Sequence, residues 1–399
     1  MLGTEELIAR AGRCLADTYA RFPVVLDRGE GCRVWDVAGK EYLDFVAGIA
    51  VCALGHCHPA VVRAVQTQAA KLLHVSNLYH IEPQIRLAEL LCEHSFADRV
   101  FFCNSGAEAN EAAIKLARKY AKEQGNSERI EIITMEGGFH GRTVAALTAT
   151  AQAKYQKGFE PLLPGFQYVP FDDLGAVERA VGGQTAAILV EPIQGEGGIC
   201  VPSEGYLQGL RKLCDGAGAL LVFDEVQTGI GRTGRLFAYE HWGVEPDIMV
   251  LAKALGGGLP IGAMLAKEEV AASFTPGTHA ATFGGNPLVT TAALATLTTI
   301  LEENLAQRAA QMGGRLMYQL RSIQDAHHGV KAIRGEGLLV GMELDREVRP
   351  VLARCLDAGL LLSSAGEKVI RFAPPLIVSE KEVQRAVDIL DTALSEVTG

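Results

Sequence analysis

The 399-residue sequence has few aromatic residues and a deficit of basic charge. Only 6% of its residues are Phe, Trp or Tyr, whereas glycine occurs 44 times. Lys and Arg number 37 against 47 Asp and Glu, which gives a formal net charge of −10. An acidic chain without a long basic run is a poor ligand for nucleic acid or for anionic membranes. We therefore expect neither among its partners, and the abundant glycines favour an α/β enzyme over an all-β binding module.

Three further absences narrow the class of protein. No run of 18 apolar residues without charge occurs, so we expect no transmembrane helix. The first ten residues lack the basic and apolar regions of a signal peptide. The nine cysteines are scattered and form no CxxC pair, which argues against a zinc site or a disulfide framework. We therefore expect reduced thiols and a cytoplasmic location. We also expect no metal, because adjacent residues such as His56-Cys57-His58 rarely ligate one ion.

From about residue 99 onward, short apolar runs alternate with segments of helical length. Continuous apolar runs are typical of parallel strands that are covered on both faces. The sequence therefore predicts an α/β fold with a mostly parallel sheet. The predicted strands of this part are 99–103, 130–135, 186–190, 219–223 and 247–251. We divide the chain into an N-terminal segment, 1–50, that packs with the small domain, a large cofactor domain, 51–305, and a small α+β domain, 306–399.

Ligands of open parallel sheets bind beyond the carboxyl ends of the strands. Ser105 and Gly106 follow one predicted strand and open a helix, where free N–H groups suit a phosphate, although a plain helix cap explains them equally. Asp224 ends another strand and needs a cationic partner or a capping role. Lys253 follows a third strand, where it either reaches solvent or takes part in covalent chemistry. With the aromatic Phe139 nearby, these groups together are those that pyridoxal phosphate requires.

Six motifs in chain order resemble those of the class III aminotransferases. They are Ser-Gly-Ala, Gly-Phe-His-Gly-Arg-Thr, Glu-Pro-Ile-Gln-Gly-Glu-Gly-Gly, Phe-Asp-Glu-Val-Gln-Thr-Gly, Ala-Lys-Ala-Leu-Gly-Gly-Gly-Leu-Pro and Thr-Phe-Gly-Gly-Asn-Pro. The resemblance runs from Trp35 to Arg371, and the N-terminal segments resemble those of the acetylornithine subgroup. It implies the type I fold of pyridoxal-phosphate-dependent aminotransferases, with a seven-stranded type of sheet, and a homodimer with shared active sites. It also implies ping-pong transfer of the terminal amino group of N2-acetyl-L-ornithine to 2-oxoglutarate, in arginine biosynthesis.

The resemblance further implies roles for individual residues around the cofactor. Lys253 would bond the cofactor's aldehyde and then move the substrate proton, and Asp224 would pair with the ring nitrogen. The other cofactor contacts would be Ser105, Gly106 and Ala107 at the phosphate, Phe139 on the ring face, Gln227 at the ring hydroxyl, and Thr282 at the phosphate of the neighbouring subunit.

The substrate site must accept both glutamate and an ornithine-type donor, whose reacting amines lie at different distances from a carboxylate. Arginine is suited to holding these carboxylates because it binds them bidentately. By the resemblance, Arg142 would hold the α-carboxylate of the ornithine-type donor and the distal carboxylate of glutamate. Arg371 would hold the α-carboxylate of glutamate. Glu196 would pair with Arg371 when no carboxylate is there, since an unpaired buried guanidinium is costly. Ile49 stands where ornithine aminotransferases use a tyrosine, and it cannot accept a hydrogen bond from a free α-ammonium.

Several alternatives stay open at the level of sequence. The donor could be ornithine, succinylornithine, 4-aminobutyrate or N-succinyldiaminopimelate. A pyridoxal-phosphate lyase or aminomutase of the same fold would share Lys253 and Asp224 but would not need two arginines. A cofactor-binding protein without catalysis is disfavoured by the intact lysine.

Overall fold

The computed structural model describes residues 3–398 of the chain. Its strands are β1 Leu26–Glu30, β2 Arg33–Asp36, β3 Glu41–Asp44, β4 Arg99–Cys103, β5 Glu131–Met135, β6 Phe166–Val169, β7 Thr185–Val190, β8 Leu220–Asp224, β9 Ile248–Leu251, β10 Gly262–Ala266, β11 Val330–Glu336, β12 Leu339–Leu344, β13 Leu360–Leu361, β14 Ser363–Ala365 and β15 Val369–Phe372. Its α-helices are α1 Thr4–Cys14, α2 Ala47–Ala50, α3 Pro59–Ala69, α4 Glu82–Glu93, α5 Gly106–Glu123, α6 Val144–Ala149, α7 Ala153–Gln156, α8 Leu174–Ala180, α9 Tyr206–Ala217, α10 Glu268–Ala271, α11 Pro287–Glu302, α12 Leu305–Ala326, α13 Arg349–Asp357 and α14 Glu380–Thr398. Short 3₁₀ turns lie at Ala238–His241 and Lys253–Gly256.

The central sheet has seven strands in the order β4-β10-β9-β8-β7-β5-β6. The neighbours from β9 to β6 pair in parallel. Strand β10 runs antiparallel to both β4 and β9. The prediction of a mostly parallel, seven-stranded sheet is therefore confirmed. Strands β6 and β10 were not predicted, because β6 is short and β10 has only two large apolar residues beside a glycine-rich stretch.

The middle of this sheet is covered on both faces. Every residue of β7, β8, β9 and β10 is buried. On one face, α5 approaches closely because its inward positions are small, with Ala109, Ala112 and Ala113 fully or almost fully buried. Packing on both faces therefore fixes the position of each strand, and the residues that follow the parallel strands lie at one edge of the sheet.

Two four-stranded sheets flank the central one, in the orders β1-β2-β3-β13 and β11-β12-β15-β14. In the first, β3 pairs in parallel with β13, with Leu43 opposite Leu360. The sequence predicts a single strand at 360–363, but the structure interrupts it at Leu362, so that its two parts join different sheets. The division into segments 1–50, 51–305 and 306–399 stays a prediction.

The sequence predicts a helix over residues 5–20, but in the structure α1 ends at Cys14 and buries none of its residues. Among residues 3–398, no helix combines the length and the apolar character needed to cross a bilayer.

Element α2 is a left-handed turn rather than an ordinary helix. Its residues Ala47, Gly48, Ile49 and Ala50 have φ values of 48°, 66°, 66° and 60°. Left-handed helical backbone costs about 1–2 kcal/mol for each residue that carries a Cβ. Three of the four residues carry one, so the surrounding structure must stabilise this turn.

Candidate active site

A cavity of about 500 Å³ lies at the carboxyl edge of the central sheet. It is bounded by residues that follow β4, β8 and β9, as expected for an open parallel sheet. The predicted site residues that line it are Ser105, Gly106, Ala107, Phe139, Arg142, Asp224, Gln227 and Lys253.

Asp224, the last residue of β8, is only 3% exposed. Its Oδ2 accepts hydrogen bonds from Asn110 Nδ2 at 2.8 Å and from His140 Nδ1 at 2.7 Å. Its Oδ1 accepts only the backbone N–H of Val226, at 3.0 Å. This carboxylate is therefore fixed by three hydrogen bonds, and Asp224 lines the cavity.

Two ionisable groups near Asp224 have pKa values above their usual range. Burial disfavours the imidazolium form of His140, but the hydrogen bond and the charge of Asp224 outweigh it and raise the pKa of His140. Glu191 accepts the N–H groups of Phe139 and Gly195 at 3.0 and 3.1 Å. Its burial raises its pKa to about 7, against the opposing charge of His140. The charged form of the His140 imidazole is thus favoured by its contact with Asp224.

Lys253 follows β9 with a left-handed backbone, φ 42°. Burial lowers the pKa of its amine, the charge of Glu196 opposes this, and the charge of Arg371 lowers it further. Within residues 3–398 its Nζ makes no hydrogen bond or ion pair. A lysine of lowered pKa without a partner is suited to nucleophilic and proton-transfer chemistry.

The N-terminus of α5 forms another wall of the cavity. Ser105 is its N-cap, and the Ser105 hydroxyl accepts the N–H of Glu108 at 3.2 Å. A Cβ on Gly106 would lie 2.9 Å from both methyl carbons of Val226, so only glycine allows this close approach. The free N–H groups and the dipole of this 18-residue helix create a seat for an anion.

Arg371 lies on β15 beside this cavity and is only 2% exposed. Its Nη1 donates to a carboxylate oxygen of Glu196 and, at 3.1 Å, to Gln227 Oε1. Its Nε donates to Ser363 Oγ at 3.1 Å. Gln227 therefore connects the cavity with the arginine, whose cation has a carboxylate partner in this structure.

Comparison with known proteins agrees with this geometry. Residues 14–394 match the family model of class III aminotransferases. The chain belongs to the class III aminotransferase family. It is similar to the acetylornithine aminotransferase of Caldanaerobacter subterraneus subsp. tengcongensis, at 53% identity over 98% of this chain and 100% of the relative.

Solved structures of aminotransferases have the same fold. The acetylornithine aminotransferase from Elizabethkingia anophelis superposes with a TM-score of 0.90 at 35% identity, over 99% of this chain and 100% of that one. The ornithine aminotransferase from Toxoplasma gondii, described with partial occupancy of pyridoxal phosphate at its active site, has a TM-score of 0.95 at 37% identity, over 99% and 95% of the two chains. The predicted family, fold and enzyme class are confirmed.

Pyridoxal phosphate is the cofactor of this aminotransferase, and the residues present fit it. The cavity provides an anion-binding helix N-terminus at α5, a buried acid, and an amine without a hydrogen-bond or ion-pair partner among residues 3–398. A cofactor with a phosphate, a basic ring nitrogen and an aldehyde has a complementary group for each of these features.

Three predicted substrate or cofactor residues lie at the edge of this cavity or outside it. Arg142 lines it but is exposed, and its guanidinium lies 3.9 Å from the ring centre of Tyr155. Ile49 is 42% exposed and does not line the cavity, although Val51 does. Thr282 borders a different cavity, of about 940 Å³. Its assignment to the neighbouring subunit's phosphate stays a prediction.

The sequence analysis gave no role to Asn110 or His140, the two residues that hold Asp224. Asn110 is 1% exposed and lies four residues after Gly106, so it projects from the buried face of α5. A polar residue in a buried helical stripe needs a hydrogen-bond partner, and that was the available signal. His140 lay within a recognised motif, but the sequence could not say which acid it would face.

Proposed function

We propose that this aminotransferase transfers the terminal amino group of N2-acetyl-L-ornithine to 2-oxoglutarate, as a step of arginine biosynthesis. The observation that carries the proposal is the pair of Arg371 and Glu196 beside the cavity. Because Glu196 already pairs with the buried guanidinium of Arg371, the site can bind a donor that brings no carboxylate to Arg371. The names of the relatives, and the apolar Ile49 in place of a hydrogen-bond acceptor, support the acylated donor.

Four groups of this chain are assigned to the chemistry at the cofactor. When bound, pyridoxal phosphate supplies the electron sink and the amino-group carrier of transamination. Lys253 Nζ would hold the cofactor and would take the proton from the carbon that bears the donor's amine, a role that its lowered pKa supports. Asp224 would pair with the ring nitrogen, while Asn110 and His140 fix the orientation of its carboxylate.

The remaining cofactor contacts bind and orient. The N-terminus of α5 holds the phosphate through the three residues Ser105, Gly106 and Ala107. Phe139 would cover one face of the ring, and Gln227, whose Oε1 accepts from Arg371, would donate to the ring hydroxyl. These assignments follow the geometry of the cavity and the family motifs.

Substrate selection is assigned to the two arginines and to Glu196. For glutamate, Glu196 leaves Arg371 so that the substrate's α-carboxylate takes its place, and Arg142 receives the distal carboxylate. For acetylornithine, Glu196 stays on Arg371 and Arg142 receives the α-carboxylate. Arg142 lies over Tyr155 at the rim and forms no ion pair with any residue in 3–398, so its guanidinium is available to either carboxylate.

The variant Glu196→Ala tests this assignment in single half-reactions. Loss of a charge-assisted hydrogen bond of about 1.5–3 kcal/mol should slow the acetylornithine half-reaction by about tenfold or more. The glutamate half-reaction should change less, since glutamate supplies its own carboxylate. Bleaching of the yellow enzyme by each donor measures the two rates. Glu396→Ala, which removes an exposed ion pair with Arg354, is the matched control. An equal loss in both half-reactions would contradict the switch.

The donor itself is settled by comparing turnover of acetylornithine, ornithine, succinylornithine, 4-aminobutyrate and N-succinyldiaminopimelate. A transaminase should bleach stoichiometrically with the donor alone and recover its colour with 2-oxoglutarate. Release of carbon dioxide instead would indicate a lyase.

We propose that the active unit is a cytoplasmic homodimer with shared sites. Leu78, Tyr79 and Phe283 are 83%, 67% and 60% exposed, and Leu78 borders the 940 Å³ cavity together with Thr282. Apolar side chains concentrated in this way support a protein–protein interface. Mixed dimers of inactive Lys253→Ala and weakened Thr282→Ala subunits should regain activity at one intact site. The nine cysteines, all free, support a reducing compartment.

A further inference from the structure

The carboxylate of Asp44 accepts hydrogen bonds from the first residues of the left-handed turn α2. Asp44, at the end of β3, is 3% exposed. Its Oδ1 accepts the backbone N–H groups of Val46 and Ala47, each at 2.8 Å. Its Oδ2 lies 2.7 Å from His56 Nε2. Asp44 therefore connects the start of the turn with a residue that follows the turn in sequence.

His56 is a rigid anchor for this connection. Its backbone exchanges hydrogen bonds of 3.0 and 2.8 Å with Gly31, beside β1. A Cβ on Gly29 would lie 2.7 Å from His56 Cβ and Cγ, so the histidine side chain packs directly on that backbone. The hydrogen bonds of Asp44 and Cys52 raise the pKa of His56 to about 10, although burial opposes this. The imidazole is therefore protonated at neutral pH, and the contact with Asp44 is an ion pair.

The turn lies between the cofactor cavity and the segment that carries Arg371. Phe45 O accepts the N–H of Ala373 at 2.9 Å, and Ala53 O accepts the N–H of Leu376 at 2.8 Å. Between these two attachments, Val51 lines the cavity and Ile49 is exposed. A shift of the turn would therefore move these side chains relative to both the cofactor and Arg371.

The strain of the turn makes such a shift the expected result of losing the ion pair. L-residues leave left-handed backbone readily unless their surroundings hold them there. Backbone hydrogen bonds with residues 373 and 376 hold the segments on either side of the turn. Among residues 3–398, Asp44 alone accepts the N–H groups of Val46 and Ala47 at the start of the turn.

We propose that Asp44 and His56 are a positioning pair that fixes α2 and so sets the preference for an acylated long-chain donor over glutamate. The preference arises because glutamate carries no acyl group that reaches the turn. The identity of the preferred donor rests on the proposed function. The pair acts through Ile49 and Val51 and touches neither cofactor nor substrate.

The test compares half-reactions of His56→Ala, His56→Gln and Asp44→Asn with those of the wild type. His56→Ala should raise the KM for acetylornithine between about tenfold and a hundredfold, the size expected of a misplaced binding group. The kcat with that donor, the KM for glutamate and the affinity for pyridoxal phosphate should each change less than about threefold. His56→Gln keeps a donor toward Asp44 and should recover most of the loss. Asp44→Asn keeps an acceptor for the turn and should be intermediate.

His327→Ala is the matched control, because His327 and Asp391 also form a 2.7 Å pair but on the surface between α12 and α14. It should leave the ratio of the two KM values unchanged. Equal changes for both donors in His56→Ala, or none for either, would overturn the inference. If that variant does not fold, unchanged KM ratios in both conservative variants would overturn it. If the wild type does not react with acetylornithine, the proposed function is refuted instead. The KM values of the same variants are then compared between glutamate and the ω-amine that does react.

Discussion

Glu225, the residue after Asp224, carries a buried carboxyl group without a cationic partner among its hydrogen bonds. It is 1% exposed, and its carboxyl oxygens accept the N–H groups of Ala238 and Tyr239 at 2.6 and 2.9 Å. Burial is the largest influence and raises its pKa from 4.5 to about 8, although these N–H groups oppose it. Glu225 is thus a neutral acid at pH 7 that fixes the 3₁₀ turn at Ala238–His241.

The sign and size of the pH effect follow from this shift. Because the folded state binds the proton more tightly, the free energy of unfolding falls as pH rises from 4.5 through 8. At about 1.36 kcal/mol per unit, the total loss is up to about 5 kcal/mol. In Glu225→Gln the ionisation is absent, but the amide NH₂ faces one of the two backbone N–H groups. That mismatch costs about 1–3 kcal/mol at every pH.

We therefore expect Glu225→Gln to be less stable than the wild type at pH 4.5, and the difference to reverse by pH 9. Urea unfolding followed by circular dichroism, at matched cofactor concentration, measures the difference at several pH values. Glu204→Gln, at an exposed position, is the control and should track the wild type throughout. A stability difference that stays constant between pH 4.5 and 9 would mean that Glu225 is ionised at all of them, and would refute the reasoning.

Three further predictions concern the cavity. Lys253→Ala should abolish both half-reactions, and borohydride should no longer fix the cofactor to the chain, whereas retained single turnovers would assign the proton transfer elsewhere. Asp224→Asn should weaken the affinity for pyridoxal phosphate about tenfold to a hundredfold, measured by titrating the apoenzyme, because a charged hydrogen bond becomes neutral. Gly195→Ala should lower kcat/KM for glutamate about tenfold or more, since a Cβ there would lie 2.2 Å from Gln227 Nε2. Gly216→Ala, whose Cβ would meet nothing within 4 Å, should leave that rate unchanged.

The fold was predictable where burial on both faces leaves a continuous apolar run. Strands β7, β8 and β9 were predicted to within a residue for this reason. Strand β10 was not predicted, because only Met264 and Leu265 among its five residues are large and apolar. The parallel pairing of β3 with β13 was not predicted either, since nothing local in the two segments identifies a partner so far along the chain.

The candidate site was predictable to the extent that strand ends and family motifs identify it. The groups on Asp224, Lys253 and the start of α5 meet at one cavity because parallel strands end at one edge. The two residues that hydrogen-bond Asp224, Asn110 and His140, were not predicted. Asn110 reaches Asp224 only because α5 packs on the sheet. The left-handed turn at Ala47–Ala50 was missed as well, because three of its residues carry a Cβ and the sequence has no signal for that backbone.

The pairing of β3 with β13 also has a consequence for how the chain folds. Leu43 N and Phe45 N donate to Gly359 O and Leu361 O, so residues made early in synthesis find their partners only near its end. Until then the outer edge of β3 presents unpaired N–H and C=O groups, an arrangement that favours association with other strands. Contacts over such a distance form slowly, and loss of the last 40 or so residues removes the partner altogether. Premature termination should therefore produce an aggregating chain rather than a trimmed enzyme.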